Sequence, residues 1–270
     1  MTTTESAQAS HPHQGEHPPA AAGAQAHQHG AGPAHGKQFV KFSFFRVRDA
    51  VRSACADDRA ALAAQLATLL DASAERMLTR TYSTVGTRAD TDFLVWQVSD
   101  ELSEIQDWHG ALLGSPLGAA LTRPHSFLSM TMRSMYSNPL HPETKGRETL
   151  REDGGTADYL FLYPMVKTKD WYKLPLDERQ AMMNEHIAVG HKYHNIKINT
   201  TYSYGLDDQE FVVAFEGDSP GEFLALVREL RTSRSTSYTE RDTPMFTCRR
   251  VAPAALAQSI GLRGEIDQAQ

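Results

Sequence analysis

The sequence predicts an α+β fold in which two ferredoxin-like (β-α-β-β-α-β) repeats form a dimeric α+β barrel within one chain. Two observations lead there. Apolar spacing of period two for strands and of three to four for helices runs through the order β-α-β-β-α-β before residue 136 and again after residue 157. The residues echo as well: Thr81-Tyr82-Ser83 with Gly86 and Asp92-Phe93 returns as Thr201-Tyr202-Ser203 with Gly205 and Glu210-Phe211. Each such unit carries its helices on one face of an antiparallel sheet and leaves the other face open. The two open faces are therefore expected to cover one another, with a ligand cavity between sheet and helix in one half.

In the first half, Phe39 to Val47 reads as a strand and Asp57 to Glu75 as a helix, with Leu62, Leu66, Leu69 and Leu70 at helical spacing. A hairpin over Met77 to Val98, a helix over Leu102 to Leu121 and a strand over Ser126 to Met132 follow. In the second half a strand is expected over Asp158 to Lys167 and a helix over Leu174 to Tyr193. A hairpin over Ile196 to Glu216, a helix over Pro220 to Arg231 and a strand over Pro244 to Arg250 complete it. The expected division is a disordered tail over 1–36, repeats over 37–136 and 157–252, a linker rich in Pro, Gly and charge over 137–156, and an extension over 253–270. After Met1 the tail holds no aliphatic residue larger than Ala, so it cannot bury enough apolar surface to order. Six of the twelve histidines lie in it and are read as part of a solvated segment.

Bulk properties exclude several classes. With a net charge of −6, the chain has no basic footprint for nucleic acid or an anionic membrane surface, so an anionic ligand must be met by local cations. Its two cysteines, Cys55 and Cys248, are too few for a disulfide framework and form no CxxC pair. No apolar run reaches the roughly 18 to 20 residues of a membrane span. Met1 to Ser10 lacks the basic and apolar parts of a signal peptide. A cytoplasmic location is expected.

The densest chemistry lies between Tyr163 and His194. Tyr163 precedes Pro164 near a strand end, a pattern suited to an edge or bulge, where the phenol faces a cavity or solvent. Lys167 lies four residues on and Met165 two, so on a regular strand all three share a face. In the following helix Met182, Met183, His186, Val189 and Gly190 fall at intervals of three and four. His186 therefore sits on an apolar face, either as a satisfied core histidine or as a neutral axial ligand to a flat macrocycle.

The string YPMVKTKDWYKLPLDERQAMMNEH, the hairpin from KYHN to YGLDDQEFVVAFE and the terminus from ELR to TPMF resemble the chlorite dismutase-like heme proteins, and within them the coproheme decarboxylases of bacterial heme synthesis. The resemblance covers most of residues 155–250 and extends more weakly to the earlier repeat. It implies His186 as the iron ligand and Tyr163 as the oxidisable residue beside a substrate propionate. It further implies hydrogen-peroxide-dependent decarboxylation of iron coproporphyrin III (coproheme) to heme b through a tyrosyl radical. A homopentamer follows by the same likeness, with the coproporphyrin ferrochelatase as a candidate partner.

Chlorite lysis in that family relies on an arginine seven residues before the glycine of the GLDD turn; here that position is Ile198, between Lys197 and Asn199. An aliphatic side chain neither binds an oxyanion nor stabilises developing negative charge. By resemblance Lys167 contacts a propionate or joins a network beside the histidine, and Met165 packs on the macrocycle. Arg231, with Ser235 and Thr236, matches propionate contacts. The family's linker arginine falls at Thr149, so Arg147 or Arg151 is expected to supply that charge from a shifted loop. Glu216 stands where chlorite-lysing relatives carry a carboxylate bonded to the histidine, and is read either in that role or as a solvated strand-end residue. Two other readings stay open: a heme b peroxidase or chlorite-lysing enzyme of the same fold, and a heme transport or sensor protein without turnover.

Overall fold

The structure, a computed structural model, describes residues 37–136, 150 and 157–262. The expected tail over 1–36, nearly all of the expected linker, Arg147, Arg151 and residues 263–270 lie outside the described residues. The first half runs β1 (Phe39–Val47), α1 (Asp49–Arg52), α2 (Ala56–Arg76), β2 (Leu78–Ser83), β3 (Phe93–Ser99), α3 (Leu102–Leu113), α4 (Pro116–Ala120) and β4 (Leu121–Met130). The second runs β5 (Tyr159–Lys167), α5 (Lys169–Lys173), α6 (Leu176–Gly190), β6 (Lys197–Tyr202), β7 (Phe211–Gly217) and α7 (Pro220–Leu230). A 3-10 turn (Arg234–Tyr238), β8 (Thr239–Arg241), β9 (Phe246–Arg250) and α8 (Pro253–Ser259) end it.

One helix expected to be continuous is broken, for a local reason. The helix expected over Leu102 to Leu121 stops at Leu113, because Ser115 caps a new helix by accepting from the Gly118 N–H, with Pro116 in its first turn. Strand β4 then begins at Leu121, five residues before its expected start. The helix expected over Leu174 to Tyr193 forms as α6, capped at Pro175, and a short helix that was not expected, α5, precedes it, with Leu174 extended before the proline.

The expected pair of facing sheets is one continuous antiparallel sheet in the order β7-β6-β4-β1-β3-β2-β9-β5-β8, closed by pairing of β5 with β7. The halves join where Met130 pairs with Tyr202 and where Tyr82 pairs with Arg250. The barrel interior is filled by one face of each strand: Phe42 and Phe44 of β1, Trp96 of β3, Leu160 and Leu162 of β5, Val212 and Ala214 of β7 and Phe246 of β9. The opposite face of the first half packs under α2 and α3, and Leu256, Ile260 and Leu262 complete that layer. The segment after residue 252 is thus packed into the core at least as far as Leu262. In the second half Phe161, Val213 and Phe215 lie against Leu226 and Leu230 of α7.

Strand alternation corrects one expectation. Glu216 follows Val212 and Ala214 at intervals of two, so it points into the barrel, away from the face that α6 and α7 cover. There its carboxylate accepts from Arg80 Nη1 of β2 at 3.2 Å and from Asn199 Nδ2 at 2.8 Å. The Arg80 guanidinium lies 4.9 Å from the centroid of the Trp96 ring. Glu216 therefore ties the two halves together across the interior and is neither a solvated carboxylate nor a partner of the His186 imidazole.

The side chains of Arg80 and Glu216 are only 6% and 3% exposed, so deleting one leaves the other as a buried charge. Arg80→Met should lower unfolding free energy by roughly 3–5 kcal/mol in chemical denaturation. A loss below about 1 kcal/mol, as for a surface pair, would contradict the interior tie.

Candidate functional site

In the second half α6, at 15 residues, stands where the 21-residue α2 stands in the first. A cavity lies between α6 and the odd-numbered face of β5. Tyr163, Met165 and Lys167 of β5 line this cavity of about 440 Å³ with His186 of α6, Ile198 of β6, and Arg231, Ser235 and Thr236 beyond α7. That volume lies within the range of small-molecule sites. Eight of the eleven residues singled out from the sequence therefore meet around one space. Glu216 faces the barrel interior instead, and Arg147 and Arg151 lie outside the described residues.

Burial drives His186, Tyr163 and Lys167 toward their uncharged forms. It lowers the His186 pKa to about 4 from an ordinary 6.5, with the positive charge of Lys167 adding to the effect. The Ser235 hydroxyl lies 3.4 Å from His186 Nδ1. An Nδ1–H directed there leaves Nε2 with its lone pair, the state a metal ligand needs. Burial likewise raises the Tyr163 phenol above its ordinary value, with Asp242 adding to the rise and Arg231 opposing it, so the O–H is retained at neutral pH. The Tyr163 ring packs 5.8 Å from that of Phe215.

Lys167 is held rather than free. Its Nζ donates to the Ser235 carbonyl at 2.8 Å and to Thr239 Oγ1 at 3.3 Å, and lies 4.8 Å from the Trp171 ring centroid. Burial lowers its pKa to about 8, partly offset by Glu210. Because the Lys167 carbonyl-anchored ammonium touches the same residue that faces the imidazole, it takes part in a network beside His186. Arg231 forms an ion pair with Asp242 at 2.5 Å.

The cavity also gathers residues that the sequence reading passed over. Arg179 and Met183 of α6 line it with His186, at positions i, i+4 and i+7 of one helical face. That spacing was visible in the sequence and would have singled out Arg179. Tyr172 donates to Glu210 Oε2 at 2.6 Å and lies 2.8 Å from the Tyr204 hydroxyl, closing a polar rim between α5 and the β6–β7 hairpin. No local pattern marks that contact, because it joins residues more than thirty positions apart. The cavity is lined along β6 by residues 198–202, none of them a cation, while Lys197 and Asn199 reach Glu216.

A family profile described as chlorite dismutase matches residues 59–251. A protein named coproheme decarboxylase from Mycolicibacterium smegmatis is 26% identical over 79% of this chain and 91% of its own length. One of the same name from Thermus thermophilus is 30% identical over 67% of this chain and 74% of its own. Among solved structures, chlorite dismutase from Candidatus Nitrospira defluvii in complex with imidazole superposes with a TM-score of 0.75 at 21% identity, covering 83% of this chain and 95% of that one.

A group with a depressed histidine pKa is protonated more readily in the unfolded chain. The His186 contribution to stability is therefore full above pH 6.5 and is lost as pH falls from 6.5 through about 4. In an NMR titration of the porphyrin-free protein, with the resonance assigned by His186→Asn, the imidazole should titrate near 4. A midpoint near 6.5 would show a solvated ring.

Proposed function

Because this chain belongs to the chlorite dismutase family, we propose that it is a coproheme decarboxylase, converting two propionates of iron coproporphyrin III to vinyl groups at the expense of hydrogen peroxide and yielding heme b. One observation carries this reading: a neutral imidazole on α6 and a protonated phenol on β5 border a single cavity that also holds cations.

The residues fit an iron porphyrin bearing carboxylates. His186 Nε2 would hold the iron, Met165, Met183, Phe211 and Val213 offer apolar surface to the ring, and Lys167, Arg179 and Arg231 offer positive charge to its rim. Arg179 Nε is buried without a hydrogen-bond partner among the described residues, as expected of a donor awaiting an anion. When bound, the iron supplies peroxide's two-electron oxidising power to the cavity.

Tyr163 then acts as the relay. Its phenol gives up an electron and a proton to become a tyrosyl radical, which takes a hydrogen atom from the propionate β-carbon and is restored. Loss of one further electron and of carbon dioxide leaves the vinyl group. Each propionate consumes one peroxide and one proton and releases carbon dioxide and two waters. Burial suits Tyr163 to this role, because a phenol held protonated keeps the hydrogen that the relay must exchange. Ser235 positions the imidazole through Nδ1, and as a hydroxyl it is a weaker acceptor than a carboxylate, which leaves the ligand less electron-rich. Lys167, near neutral burial balance with a pKa of about 8, is the group best placed to supply protons on this side.

The wider setting follows from the likeness to coproheme decarboxylases: a homopentamer in the cytoplasm, receiving its substrate from the coproporphyrin ferrochelatase. Among the described residues no helix is long and apolar enough to cross a membrane.

Purified protein supplied with iron coproporphyrin III and peroxide should give a product lighter by two formic acid equivalents, one carbon dioxide and two hydrogens per propionate, in mass spectrometry. Tyr163→Phe should abolish that change while retaining porphyrin binding, and His186→Ala should lose the iron–imidazole signature in the Soret band. Heme b formation by the phenylalanine variant would overturn the assignment of Tyr163.

A further inference from the structure

Three cationic side chains line the cavity, and two of them are already committed. Arg231 is paired with Asp242 at 2.5 Å, and Lys167 donates to Ser235 and Thr239. A substrate carboxylate arriving at Arg231 must share or displace Asp242, and one arriving at Lys167 must compete with two existing acceptors. Arg179 differs. Among the described residues its hydrogen bond is to the Met135 sulfur, 3.9 Å from Nη1, a weak acceptor at long range. Its Nε is buried with no hydrogen-bond partner. A guanidinium is charged at any working pH, so burying part of it without an acceptor costs free energy unless a ligand repays it.

Its position on α6 fixes which part of a ligand it meets. Arg179 lies seven residues before His186, two turns along one face, which places the two Cα atoms about 10 Å apart along the helix axis. Both side chains border the same cavity. A guanidinium displaced sideways by that distance from the iron ligand reaches the edge of a planar ligand rather than the iron itself. That offset matches the reach from a porphyrin's centre to the carboxylates on its rim.

We propose that Arg179 is a substrate-binding residue that anchors one rim carboxylate of the porphyrin through its Nε and terminal N–H groups, and so sets the rotation of the ring about the His186–iron axis. This inference rests on the function proposed above. It assigns the strongest anion anchor to the uncommitted arginine of α6, leaving Arg231, already neutralised by Asp242, with the lesser share.

The test is equilibrium binding of iron coproporphyrin III, followed by Soret absorbance and tryptophan quenching, to the unaltered chain, R179Q and R179K. R179Q should raise Kd roughly tenfold or more, as loss of a charge-assisted contact does, and R179K, which keeps the charge but not the forked donor, should recover part of that loss. At saturation the Soret band of R179Q should match that of the unaltered chain, because the iron–imidazole bond is untouched, and its thermal unfolding should be unchanged. Equal Kd for R179Q and the unaltered chain would overturn the anchor while leaving the proposed function standing. A shifted Soret band at saturation, or a Kd loss in R179Q matched in full by R179K, would also overturn it. No binding by the unaltered chain would overturn the proposed function and the anchor with it.

Discussion

Every feature of the site depends on the alternation of side chains along β5 inside a closed sheet. Because β5 pairs with β7 on one side and with β9 and β8 on the other, its register cannot slip without breaking the barrel. Leu160 and Leu162 are thereby committed to the interior, which commits Phe161, Tyr163, Met165 and Lys167 to the side under the helices. Packing the core and aiming the phenol are one structural choice. The same rule on β7 sends Val213 and Phe215 toward the cavity and Glu216 into the barrel, where it joins the halves through Arg80.

Burial then shapes the chemistry in a single direction. The apolar walls that would accept a macrocycle also lower the pKa of His186 and Lys167 and raise that of Tyr163, so three groups of different kinds are all shifted toward their uncharged forms. A neutral imidazole, a phenol that keeps its hydrogen and an ammonium near its titration point suit a site in which iron is ligated and hydrogen atoms and protons move. What burial cannot neutralise is a guanidinium. Arg231 is balanced by Asp242, and Arg179 is left for the ligand.

Much of this was legible in the sequence, because helix and strand periods, the internal echo and the Tyr163–Lys167 and His186 spacings are local patterns. What escaped it falls into two kinds. A local break was hidden where apolar spacing ran on past a stronger signal, as at Ser115-Pro116. Contacts between distant residues left no local trace: the closure of β5 on β7, the Tyr172–Glu210–Tyr204 rim and the Arg80–Glu216 tie. Glu216 was misjudged because its strand position was known but the face it presented was not. Arg179 was readable from its seven-residue offset to His186 and was missed because charged residues early in a helix are usually solvated.

The measurement that bears most directly on the central claim is a crystal structure of the protein with iron coproporphyrin III. The expected density places the iron on His186 Nε2, with a propionate in hydrogen-bond reach of the Tyr163 hydroxyl. Iron bound by another residue, or a ring oriented with every propionate away from Tyr163, would contradict it.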